Sequence, residues 1–110
     1  MEKGEIWLVN LPIKGGKEQF GFRPSIILAD TKTDLALVIP LTSNLQALRF
    51  PYTLLIKKSK FNGLELDSVA LLFQITAVDR TYFRNKIGGL EEISIKRLDD
   101  ILIRLLKIKT

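Results

Sequence analysis

Residues 24–41 read Pro24-Ser25-Ile26-Ile27-Leu28-Ala29-Asp30, then Thr31-Lys32-Thr33-Asp34, then Leu35-Ala36-Leu37-Val38-Ile39-Pro40-Leu41. Two short apolar runs rich in branched side chains, joined by a polar turn cluster, predict an antiparallel hairpin. The first run, opened by Pro24 and closed by Asp30, is expected to be a buried strand. Pro40 belongs near the end of its strand, because proline has no N–H to give to a central ladder.

Working outward, Ile6–Leu11 is a third short apolar run, closed by Pro12, and reads as the first strand. Between it and the hairpin, residues 14–22 (KGGKEQFGF) mix glycines, charges and aromatics and are expected to form a loop. After the hairpin, Thr42-Ser43-Asn44 opens a polar loop, and β character resumes over Tyr52–Ile56. Lys57, Lys58 and Lys60 form a basic turn, either solvated or tracking phosphates, punctuated by Asn62-Gly63. Ser68–Phe73 is expected as a strand that Gln74–Val78 continues, residues 80–86 as a short helical turn, and Ile87–Leu90 as a last short strand.

The period then changes. Ile95, Leu98, Ile101, Leu102 and Leu105 recur at helical spacing with charged residues between them. Glu91 and Glu92 suit the start of such a helix, and Lys107 and Lys109 its end. The expected fold is mainly β: about five to seven short strands in a small SH3-like barrel, with one C-terminal amphipathic helix over an opening. Residues 1–110 carry no repeat or linker-like composition and read as a single domain.

Composition narrows the chemistry. Hydrophobic residues are 46% of the chain, enough for a packed core. There is no cysteine and no histidine. Disulfides, thiolate or imidazole metal ligation, thiol nucleophiles and histidine general bases are therefore excluded. Catalysis would fall to Arg, Lys, Glu, Asp, Thr, Ser, Tyr or Gln, and no metal or cofactor is expected. Seventeen Lys and Arg against twelve acids leave a net charge of +5, which suits a polyanionic partner as well as plain solubility. The N-terminus has neither a signal-peptide apolar core nor a cleavage site, and no run approaches the roughly 18 apolar residues of a membrane span, so a cytoplasmic protein is expected.

Three segments hold polar groups that could act on a substrate. Gly16–Pro24 places Glu18, Gln19 and Arg23 at the entry to a strand. Arg23 precedes a proline, which biases it to extended geometry, and its planar fork matches a phosphate. An ordinary solvated loop with an Arg–Glu ion pair accounts for the same spacing. Pro40-Leu41-Thr42-Ser43-Asn44 sends two hydroxyls and an amide off a strand end, for substrate or for local turn bonds. Gln74 interrupts the apolar run that follows Asp67-Ser68-Val69, either as a satisfied buried amide or as a site residue projecting from a strand.

In order, these segments resemble the MazF/PemK family of type II toxin–antitoxin systems. Gly4-Glu5-Ile6-Trp7-Leu8-Val9-Asn10-Leu11 looks like the family's first strand. Gly16-Lys17-Glu18-Gln19 leading to Gly21-Phe22-Arg23-Pro24 is similar to its G-S-E-Q-x-G-x-R-P signature. Pro40–Asn44, Asp67-Ser68-Val69 with Gln74-Ile75 and Val78-Asp79, and Lys86-Ile87-Gly88-Gly89-Leu90 match further motifs. Lys17 departs from the family's serine, Phe73 from its acid and Thr76 from its arginine.

The resemblance implies a homodimeric, metal-independent endoribonuclease that cleaves single-stranded RNA and is neutralised by a cognate antitoxin. It carries the catalytic roles to Arg23 and Thr42, with Glu18 as the candidate base. Lys17, Gln19, Phe20, Phe22, Ser43, Asn44 and Gln74 are the expected RNA-binding residues. Phe20 and Phe22 flank Gly21, where either one stacks a base or both cover the barrel mouth. The implied chemistry is attack by the substrate's own 2′-hydroxyl, giving a 2′,3′-cyclic phosphate and a 5′-hydroxyl. Two other readings stand beside this one. One is a non-catalytic SH3-like module that binds RNA or protein. The other is a gyrase poison of the CcdB type, which the Lys107-Ile108-Lys109-Thr110 ending disfavours because it lacks that group's Trp-Gly-Ile terminus.

Overall fold

The computed structural model describes the backbone of residues 1–13 and 19–109, and the side chains of that set outside residues 12–20. Strands β1 (Glu5–Ile13), β2 (Gln19–Asp30), β3 (Leu35–Thr42), β4 (Thr53–Ile56), β5 (Ser68–Leu71), β6 (Thr76–Asp79) and β7 (Phe83–Gly89) precede one helix, α1 (Glu92–Leu106). All pairings are antiparallel. The order is β4-β5-β3-β2-β1-β7, with β6 also on β3. This is the mainly β, SH3-like barrel with a C-terminal helix that the pattern predicts.

The central hairpin is β2 and β3, paired Ile26 to Ile39 and Ile27 to Val38. Successive side chains point to opposite faces of a strand. Ile26 and Ile39 accordingly join Ile6, Leu41, Leu72, Leu98 and Ile101 in one core, while Ile27 and Val38 join Val9, Leu11 and Val78 in another. Burial on both faces explains why the run from Ser25 does not alternate. Trp7 is half-buried beside the second core, edge-on to Phe83 at 6.1 Å, with its indole N–H donating to Glu5 Oε1 at 2.8 Å.

Four expectations need correction. Gln19–Phe22 is strand rather than loop, because β1 runs on through Pro12 and offers a ladder as far as Ile13 opposite Gln19. A hydrogen-bonding partner outweighs weak local propensity. Pro12 is tolerated there because β1 pairs with β7 only as far as Val9, leaving that side of the strand open.

Second, Gln74 does not continue β5. β3 pairs with β5 at Leu41 and Thr42 but with β6 from Leu35 to Val38. The chain must step between them, and it does so through a 3-10 turn, Leu72–Gln74, anchored by fully buried Leu72. Third, helical geometry after Asp79 is confined to Arg80–Tyr82, and Phe83–Lys86 already belongs to β7, paired with β1. Fourth, Tyr52 precedes its strand in a left-handed conformation (φ +58°), and a 3-10 helix, Leu45–Arg49, fills part of the preceding loop.

Helix α1 buries Leu98, Ile101 and Leu102, with Ile95 and Leu105 packed beside them. It ends on Lys107 in the left-handed conformation (φ 54°), where the Ile108 N–H donates to Ile103 O at 3.0 Å. That six-to-one bond satisfies a carbonyl the helix would otherwise leave open.

Candidate active site

In the register that pairs Ser25 with Pro40, Arg23 stands across the hairpin from Thr42. Both line one cavity of about 490 Å³, together with Phe22, Ser43, Glu65 and Leu66. That volume lies in the range of small-molecule and nucleotide sites. β2 supplies Phe22 and Arg23, the end of β3 supplies Thr42 and Ser43, and the segment before β5 supplies Glu65 and Leu66.

The two principal donors are held differently. Arg23 is half-buried at the end of the hairpin ladder, directly opposite Val9 of β1. Among the described residues it makes no ion pair. The Thr42 hydroxyl accepts the Asn44 N–H at 3.2 Å. That bond uses an oxygen lone pair, so the hydroxyl proton remains free to donate. A guanidinium and a hydroxyl donor facing one cavity form a site for an oxyanion, above all a phosphate or phosphodiester.

The other expected residues divide. Phe22 is 48% exposed and carries the Arg84 guanidinium 5.0 Å from its ring centre. Ser43 is exposed on the cavity rim. Asn44 serves the local backbone instead, since its side-chain oxygen accepts the Gln46 N–H at 3.1 Å and caps the 3-10 helix. Gln74 is exposed on its turn and is not among the cavity-lining residues. Lys17 and Glu18 lie outside the described residues, as do the side chains of Gln19 and Phe20.

The cavity also contains residues that sequence reasoning passed over. Gly63–Leu66 forms one wall, and Glu65 is the carboxylate among the cavity's described residues. That wall is held from behind by Asn62, which is fully buried. Its side-chain oxygen accepts the N–H groups of Ser59 and Leu64, both at 3.0 Å. Its amide nitrogen donates to Lys57 O at 2.8 Å and Glu91 Oε1 at 3.3 Å. The Ser59 hydroxyl donates to Glu91 Oε2 at 2.6 Å, joining the wall to the start of α1. Partial burial pushes the Glu91 carboxyl upward, but the Ser59 hydroxyl, its own backbone N–H and the Asn62 amide together hold it below the ordinary glutamate value. Gly63 has φ +72°, and a Cβ there would lie 2.0 Å from the Ile87 carbonyl oxygen, so this turn admits only glycine. The Asn62-Gly63 dipeptide signalled a turn, but nothing in it signalled a buried polar anchor.

The model of the PemK-like, MazF-like toxins of type II toxin–antitoxin systems matches residues 2–106. The chain belongs to this family. It is 28% identical over 106 residues to the endoribonuclease MazF of Staphylococcus saprophyticus, covering 93% of this chain and 88% of that one. It is 27% identical over 106 residues to the endoribonuclease EndoA of Bacillus subtilis, covering 93% and 90%. Its fold matches the crystal structure of MazF from Deinococcus radiodurans with a TM-score of 0.77 at 19% identity, over 98% of this chain and 97% of that one. Among the described residues, no helix of this family member is long and apolar enough to cross a membrane.

Proposed function

We propose that this chain is a sequence-selective endoribonuclease toxin, acting in the cytoplasm on single-stranded RNA and neutralised by a cognate antitoxin. The observation that carries the reading is the joint presence of Arg23 and Thr42 on one cavity, in a toxin-family chain that contains neither histidine nor cysteine. Such a chain has no imidazole for acid–base work and no thiol for covalent work. A phosphodiester of RNA needs neither, because its own 2′-hydroxyl is a nucleophile.

In this mechanism the 2′-oxygen attacks the adjacent phosphorus as its proton leaves. Negative charge grows on the non-bridging oxygens and on the departing 5′-oxygen. Arg23 donates to a non-bridging oxygen and stabilises the leaving 5′-oxygen, which takes a proton from solvent to end as the 5′-hydroxyl, while the Thr42 hydroxyl holds a second non-bridging oxygen. A preorganised donor aimed at developing charge is worth roughly 3–4 kcal/mol, a factor of about 10²–10³ in rate. Glu18, which matches a position lining the family's active groove, is the proposed acceptor of the 2′-hydroxyl proton. Ser43 and the exposed Phe22 ring border the same cavity and suit contacts to the flanking RNA.

The whole chain is proposed to work as one domain and to pair with a second copy. Supporting self-association, Leu45, Leu48, Phe50, Leu55 and Phe73 are all exposed, and the Phe50 and Phe73 rings sit edge-on at 5.8 Å. Exposed apolar groups gathered in this way mark an interface more often than a solvated face. Light scattering should then return twice the 12.5 kDa chain mass.

The decisive experiment incubates the purified protein with a long RNA in excess EDTA and maps the ends. Expected are discrete cuts with 2′,3′-cyclic phosphate and 5′-hydroxyl termini, and no cut where the attacking nucleotide is 2′-deoxy. Arg23→Ala should remove cleavage while the circular dichroism spectrum is unchanged. Loss of cutting in EDTA, or cleavage at a 2′-deoxy position, would refute the mechanism.

A further inference from the structure

The cavity has two chemically different sides. One presents the donors Arg23, Thr42 and Ser43. The other is the wall Gly63–Leu66, which brings a carboxylate into the same space. A carboxylate repels a phosphate and offers acceptors only. What it can receive from a bound nucleotide is an N–H or O–H donor.

The wall holds the backbone that carries this carboxylate. Leu64, on one side of Glu65, donates its N–H to buried Asn62 at 3.0 Å. Leu66, on the other side, accepts the Ser68 hydroxyl at 2.9 Å. Asp67 accepts the Lys58 N–H at 2.9 Å, closing the segment back onto the chain before it. Glu65 is thus an exposed side chain on a backbone pinned at both neighbours. Two exposed large apolar side chains border the same cavity, Phe22 at 48% and Leu66 at 60% exposure, and the Arg84 guanidinium braces the Phe22 ring. Exposed apolar groups beside an acceptor carried on a held backbone provide a surface for the face of a base and a partner for its edge.

We propose that Glu65 determines which base is accepted in this cavity, by receiving hydrogen bonds from an amino-bearing Watson–Crick edge and rejecting uracil. This rests on the ribonuclease reading above. Guanine fits best, because its N1–H and N2–H₂ donors lie side by side and meet the two carboxylate oxygens together. Adenine and cytosine each offer one amino group next to an acceptor. Uracil offers a single N3–H flanked by two carbonyl oxygens, which a carboxylate repels. Discrimination arises as much from that repulsion as from the bonds to the favoured base.

The test compares cleavage motifs of the wild type, Glu65→Gln and Glu65→Ala, by sequencing the 5′ ends released from one long RNA. A matched base–side-chain pair carries a discrimination of about tenfold or more. The wild-type motif should hold an amino-bearing base, guanine foremost, at one position. Both variants should lose about tenfold in preference at that position alone. Glu65→Gln should gain uracil there, because its amide offers a donor as well as an acceptor. An unchanged motif in both variants overturns the proposal. So does a uniform fall in rate at every site with the ranking of sites preserved, which would place Glu65 in bond chemistry or in folding. A wild-type motif of uracil alone overturns it too. If the wild type cuts no RNA at all, the proposed function fails and takes this inference with it, whereas cutting with an unmoved motif refutes the inference alone.

Discussion

Replacing Asn62 with alanine is the sharpest test of how the cavity wall is held. The side chain is fully buried and makes four hydrogen bonds, to the Ser59 and Leu64 N–H groups, the Lys57 carbonyl and the Glu91 carboxylate. Truncation at Cβ removes all four. Glu91 keeps the Ser59 hydroxyl, so its loss is the smallest. The three backbone groups are left facing a space the size of the missing amide. An unsatisfied buried group costs about 1–3 kcal/mol, and a water entering the gap would recover part of that. The sum is about 3–5 kcal/mol, against a total stability of about 5–15 kcal/mol for a domain of this kind. With a urea m-value of about 1.5 kcal/mol/M, the unfolding midpoint should fall by about 2–3 M at unchanged slope. RNA cleavage by the folded fraction should fall as well, because Gly63–Leu66 loses its rear support. A midpoint shift below about 0.5 M would mean that these groups are readily satisfied without Asn62, and the account of the wall would be wrong.

Two other substitutions probe the site and its support. Arg23→Lys keeps the charge but loses the planar fork, so on the proposed mechanism cleavage should fall about 10²-fold with stability unchanged; activity within a few-fold of wild type would reduce Arg23 to a general cation. Glu91→Gln tests linkage to pH. The folded-state carboxyl of Glu91 lies below its ordinary value of 4.5, so its contribution is complete above that pH and is lost as pH falls through the lowered value. The variant should therefore be less stable than wild type at pH 7, with the gap closing below pH 4.5, as followed by urea midpoints; a gap independent of pH would show that Glu91 acts through shape alone.

The hairpin and the helix were legible because each declares itself locally. The run from Ser25 to Ala29 has no alternation to misread, and the spacing of Leu98, Ile101 and Leu102 has no other regular solution. Gln19–Phe22 and Leu72–Gln74 were not legible, for one shared reason. Their conformations answer to a distant partner rather than to their own residues. Gln19 is extended because Ile13 is across from it, and the chain turns at Leu72 because β3 changes partner between Val38 and Leu41.

The same distinction runs through the site. Arg23 and Thr42 stand out in the sequence because each falls within a family motif and near a proline, and the hairpin register then brings them opposite one another. Glu65 and Asn62 lie in a polar stretch that looks like any solvated turn. They acquire meaning only when β7 and α1 close over that turn, the Gly89 N–H reaching Phe61 O at 3.2 Å and Glu91 reaching Ser59 and Asn62. The half of the cavity that carries Arg23 and Thr42 is thus written within one hairpin, and on the proposed mechanism the chemical step is kept there. The facing half is assembled from segments far apart in the chain and, among the described residues, ends on one exposed carboxylate, Glu65. If Glu65 reads a base as proposed, substitutions there alter which RNA is accepted without disturbing the hairpin that brings Arg23 and Thr42 together.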